Sequence, residues 1–148
     1  MSAPGVKFLY VHCQDLSEMR QFYSGLLEFD EIYFSADEGM VAYNCDGLQF
    51  TLVESADVVP LKPDRPAVTF ARQPGWSGGT GTSMSWSTPY DCEAFTRVVA
   101  ALQEATVEAV HTEPAWVGYW SYPVLDPMGT TVEITSTDPV AWRSESAS

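Results

Sequence analysis

Apolar residues along the chain switch between two periods, and the switches occur twice in the same order. Over residues 6–13 they alternate, with Phe8, Tyr10 and His12 on one side and Leu9, Val11 and Cys13 on the other, which predicts a strand. From Leu16 the period lengthens, and Leu16, Met19, Phe22, Tyr23, Leu26 and Leu27 form a helical stripe. Asp15 stands at the N-cap with Glu18 three residues on, a capping-box pattern. The helix should cover the Leu9/Val11 side of its strand, leaving Phe8, Tyr10 and His12 on the other. Residues 29–34, 40–45 and 48–54 read as strands, separated by turn residues at Asp37 to Gly39 and at Asp46-Gly47.

The second half repeats this order. Met84, Trp86 and Thr88 alternate along a strand, Asp91 caps a helix with the stripe Phe95, Val98, Val99 and Leu102, and residues 107–110, 118–125 and 131–135 read as strands. A looser stretch, 111–117, holds Trp116, and Asp126 to Gly129 forms a turn. Self-similarity of this kind fixes the architecture more firmly than any one element. It predicts an α+β fold of two βαβββ units, 6–54 and 83–137, with curved mixed sheets around a shared cleft in a single domain, 1–148. Residues 55–82 are the expected linker, with four prolines and a glycine-rich stretch around Trp76. Residues 138–148 are the expected tail.

Composition narrows the partners. Seven basic against 20 acidic residues give a formal charge of −13. Nucleic acid and anionic membrane are therefore excluded as expected partners, and a cationic ligand is favoured at long range. No apolar run reaches the length of a membrane span and the chain begins without an apolar signal core, so a cytoplasmic protein is expected. The three cysteines, Cys13, Cys45 and Cys92, are an odd number without close spacing, and reduced core residues are expected rather than a disulfide framework. Five Trp, seven Tyr and seven Phe leave more aromatic surface than the helical stripes use.

Asp15-Leu16 through Phe22-Tyr23, the Asp126 to Gly129 turn with Val132-Glu133 after it, and the doubled βαβββ layout over residues 6–137 resemble the vicinal oxygen chelate superfamily. That superfamily includes glyoxalase I, ring-cleaving dioxygenases, fosfomycin-modifying enzymes and bleomycin-resistance proteins. The chain departs from its pattern after each helix, where Glu28 and Thr106 replace the usual glycine. The resemblance implies a divalent metal held by inward His and Glu side chains. Carried over position by position, those places fall on Phe8, Met84, Thr51 and Glu133. One carboxylate among a phenyl ring, a thioether and a hydroxyl is not a hard-cation site, so no metal and no other cofactor are expected.

What remains is a cleft with aromatic walls and a few polar groups. The candidate ligand-binding residues are Phe8, Tyr10, His12, Thr51, Met84, Trp86, Trp116, Trp120, Tyr122 and Glu133. Flat rings stack on flat ligands and attract cations through their faces. The resemblance is nearest to the metal-free, antibiotic-binding resistance proteins, and implies a homodimer that sequesters a planar aromatic small molecule. The alternative is an isomerase, lyase or dioxygenase-type enzyme that uses Glu133 as base and His12 as its acid or orienting partner. In either case Glu133 needs a partner, because a buried unpartnered carboxylate is costly.

Overall fold

The computed structural model describes residues 3–60 and 84–143. The chain divides into two compact units, Met1–Pro60 and Leu61–Ser148. Most of the expected linker, including Trp76, and the last five residues of the expected tail lie outside the described residues.

The first unit runs β1 (Phe8–Cys13), α1 (Leu16–Arg20, continued by wider π-type turns over Gln21–Leu26), β2 (Asp30–Ser35), β3 (Met40–Cys45) and β4 (Leu48–Glu54). Its sheet has the order β1-β4-β3-β2, with β1 parallel to β4 and the other pairs antiparallel. Asp15 caps α1, its Oδ1 accepting from the Glu18 N–H at 3.0 Å. The N–H of Leu16 donates instead to Glu54 Oε2 at 2.9 Å, so β4 supplies an acceptor that local sequence does not reveal. The α1 stripe buries Leu16, Met19, Phe22, Tyr23 and Leu27. Tyr23 packs on Phe29 and Phe50 with ring centroids 5.2 Å apart in each case, and Phe29 meets Tyr43 edge-on. Arg20 sits at the rim, bridging to Glu31 at 2.8 Å and lying 3.7 Å over the Phe34 ring.

The second unit runs β5 (Trp86–Pro89), α2 (Cys92–Glu104), β6 (Ala115–Trp116), β7 (Trp120–Leu125) and β8 (Thr131–Ser136), with the sheet order β5-β8-β7-β6. Asp91 caps α2 through the Ala94 N–H at 2.8 Å. Phe95, Val98, Val99 and Leu102 are buried, as are Val132 and Ile134 on the sheet. The strand expected over 107–110 is reduced to one bridge, Ala109 with Val124, and two backbone bonds. Pro123 explains part of this, because its carbonyl accepts from Val110 but it has no N–H to return. Residues 138–143 are docked. Thr96 Oγ1 donates to the Ala141 carbonyl at 2.7 Å, Trp120 Nε1 to that of Pro139 at 3.0 Å, and Trp142 stands edge-on to Phe95.

Turn chemistry follows the sequence closely. Asp46 and Gly47 both have positive φ, the conformation a tight two-residue hairpin requires. Asp126 is buried and its Oδ1 accepts from the N–H groups of Met128 and Thr130, which closes the loop before β8. The two departures from glycine are left-handed all the same: Glu28 has φ 61° and Thr106 φ 56°. The helix ends keep the glycine geometry without the glycine.

Candidate functional site

Strand register decides which candidates share a surface. In the first unit Phe8 stands opposite Gln49, Tyr10 opposite Thr51 and His12 opposite Val53. Across the next pair Asn44 meets Gln49 and Ala42 meets Thr51, and Tyr33 follows beside Ala42 after a bulge in β2. These residues lie on the face away from α1. On it Phe8 and Tyr10 are each 58% exposed and Tyr33 is 45% exposed. His12 is exposed as well. Thr51 is buried between them, and its Oγ1 accepts from Gln49 Nε2 at 3.1 Å. The face away from the helix is thus an aromatic platform with carboxamide and hydroxyl groups in its floor.

In the second unit the register corrects one expectation. Ser87, not Trp86, stands opposite Glu133, while Trp86 stands opposite Val132. Across β7, Tyr122 pairs with Ile134 and Trp120 with Ser136. Trp86, Trp120 and Tyr122 therefore share the α2 side of the sheet, the face opposite to Glu133. Tyr122 lies beside Gln103 of α2, and burial pushes its phenol above the usual value. Trp116, 46% exposed, stands opposite Trp120 and packs edge-on against it at 5.4 Å. Counting back from the capping Asp fails here because, although two residues separate strand from helix in both units, β5 pairs with β8 one residue out of step with the pairing of β1 and β4. Tyr10, opposite Thr51, lies five residues before Asp15, whereas Ser87, opposite Glu133, lies four before Asp91. A one-residue slip exchanges the two faces of a strand. Met84 precedes β5 and is 53% exposed.

Glu133 is 1% exposed, and three hydroxyls among the described residues donate to it. Ser87 Oγ donates to Oε1 at 2.7 Å. Ser121 Oγ and the Tyr119 hydroxyl donate to Oε2 at 2.6 and 3.0 Å. The carboxylate is held by donors of its own unit, so its burial calls for neither His12 nor a cationic ligand. None of the three donors was among the expected site residues; the alternation Ser85, Ser87 and the pair Tyr119 and Ser121 beside Trp120 were the available signal. Thr131, two residues before Glu133 on the same face, has a buried hydroxyl without a hydrogen-bond partner among the described residues.

The metal that the superfamily resemblance implies does not fit these side chains. Phe8 and Met84 offer no hard ligand, Thr51 accepts from Gln49, and both oxygens of Glu133 already accept hydroxyls. No group of three or more His, Cys, Asp and Glu converges among the described residues.

The fold is that of the glyoxalase-type proteins. A glyoxalase/dioxygenase from Nostoc punctiforme superposes with a TM-score of 0.65 at 21% identity, covering 94% of this chain and 97% of its own. The fosfomycin resistance protein FosX from Listeria monocytogenes gives 0.60 at 15% identity, with 92% of each chain covered. Lactoylglutathione lyase from Agrobacterium tumefaciens gives 0.55 at 13%, covering 92% of this chain and 96% of its own. No family model and no curated protein matches the chain. No helix among the described residues is long and apolar enough to cross a membrane.

Proposed function

We propose that this chain is a metal-independent binding protein of the vicinal oxygen chelate superfamily. It acts in the cytoplasm as a homodimer and sequesters a planar aromatic small molecule, such as an antibiotic. The observation that carries this reading is the exposure of Phe8 and Tyr10 on the helix-free face of the first sheet. An exposed ring on a polar-floored strand face is the kind of surface that ligand stacking uses, at about 0.5–1.5 kcal/mol per ring beyond buried area. Calorimetric titration with planar aromatic antibiotics tests it, with chromatography of the same mixtures. Saturable binding with the compound recovered unchanged is expected, and Phe8→Ala and Tyr10→Ala should each weaken it about fivefold to tenfold. Absence of heat from every planar compound at micromolar concentration would remove the reading.

A second reading, a superfamily enzyme of isomerase, lyase or dioxygenase type using Glu133 with His12, has one specific observation in its favour. The acid at the last-strand position is fixed at both oxygens, and the Thr131 hydroxyl beside it has bonding capacity left. A new product peak that Glu133→Gln abolishes, with binding retained, would establish it over sequestration.

A further inference from the structure

The aromatic platform ends in a depression of about 300 Å³, near the lower bound for small-molecule pockets. Lys7, Phe8, Ile32, Asn44, Leu48 and Gln49 line it, with Gly47 at the hairpin turn. Phe8, Asn44 and Gln49 belong to one row of the helix-free face, so the depression is continuous with the platform. Its chemistry is lopsided. Ile32 and Phe8 are 53% and 58% exposed and give apolar walls. Asn44 and Gln49 carry carboxamides, and Lys7 brings the only ammonium side chain among the described residues. Arg20 forms the one ion pair seen among the described residues, with Glu31, so Lys7 is not committed to a carboxylate.

We infer that this pocket receives the anionic end of the ligand, and that the ligand class is an aromatic carboxylate whose ring lies on Phe8 and Tyr10. This inference rests on the aromatic-binding reading above and reverses the ligand charge suggested by composition. The formal charge of −13 is spread over the whole chain. Charges farther than about 10 Å are largely screened at 0.1 M salt. An ammonium with two carboxamide donors beside an apolar wall acts at contact distance, where charge-assisted hydrogen bonds are strongest. Lys supplies a mobile point charge rather than a fixed fork, which suits a shallow pocket open to solvent.

Three probes sharing one ring separate the charge claim from the stacking claim: 1-naphthoate, 1-naphthalenemethanol and 1-naphthylmethylammonium. Calorimetry on the full chain should show the alcohol binding, the carboxylate binding about tenfold tighter, and the ammonium weakest. Lys7→Gln, at an exposed side chain, should bring the carboxylate down to the alcohol and leave the alcohol unchanged. Lys7→Arg should keep most of the preference. Equal binding of acid and alcohol, tighter binding of the ammonium, or an unchanged preference in Lys7→Gln would overturn the carboxylate pocket while leaving the platform intact. If none of the three binds, the platform falls and the pocket with it.

Discussion

Replacing Glu133 by alanine should cost the protein about 3 kcal/mol, and the sum can be built from its neighbours. The Ser121 hydroxyl belongs to a residue 2% exposed, so losing the Glu133 carboxylate costs a buried hydrogen bond to a charged group, about 1.5–3 kcal/mol. The Tyr119 hydroxyl is half-buried and recovers some water, and Ser87 is exposed and recovers most of it. The one lost methylene adds about 0.8 kcal/mol where the site cannot collapse. Glu133→Gln keeps the volume and one acceptor, and the hydroxyls can rotate to accept from the new amide, so about 1–2 kcal/mol is expected. Ser121→Ala should cost about 1.5 kcal/mol and Ser87→Ala under about 0.5. Urea unfolding followed by far-ultraviolet circular dichroism measures all four. A double-mutant cycle of Ser121→Ala with Glu133→Gln should return a coupling of about 1 kcal/mol or more. If Glu133→Ala falls within about 1 kcal/mol of the parent, or the coupling vanishes, the hydroxyls are not what holds the acid.

Thr106 has a β-branched side chain at φ 56°, so Thr106→Gly should stabilise by about 0.5–1 kcal/mol after the unfolded-state entropy of glycine is subtracted, and Glu28→Gly by less; thermal melts give the order. Asp91→Ala removes the α2 cap and should cost about 1 kcal/mol in the same melts. The Arg20 guanidinium holds the Glu31 carboxyl below the usual carboxylate range. A depressed folded value means that this contribution is present above the unfolded value and fades as pH falls through the folded one. Glu31→Gln should therefore flatten the acid limb of the stability profile, by under about 1 kcal/mol because the pair stays partly open to solvent. Phe8→Ala and Tyr10→Ala should leave stability within about 0.5 kcal/mol while weakening ligand, which separates a binding surface from a core.

Most of the fold was legible because its signals are local. Strand alternation, the Asp15 and Asp91 caps, the Asp46-Gly47 hairpin and the Asp126 loop each lie within a few residues of what they determine. The interactions that sequence did not disclose are long-range or set by a single residue of register. Glu54 reaches Leu16 across 38 positions, and Ser87 reaches Glu133 across 46. Nothing in the 16–26 stripe signals that the helix widens from Gln21 onward.

The slip in β5 carries the most for function. Aligning the two capping aspartates puts Trp86 beside Glu133, and from that position a wall of tryptophans around an acid follows naturally. Strand pairing with β8 puts Ser87 there instead, and the tryptophan turns to the α2 side. The two units therefore do not contribute equivalent helix-free faces. The first presents rings, Phe8, Tyr10 and Tyr33, over a polar floor, and the second presents a carboxylate enclosed by hydroxyls. In a doubled fold, the helix cap fixes where the helix starts, but the closing strand fixes which way the opening strand faces. An opening-strand position can be carried from one unit to the other only when both landmarks agree, and for Trp86 they disagree.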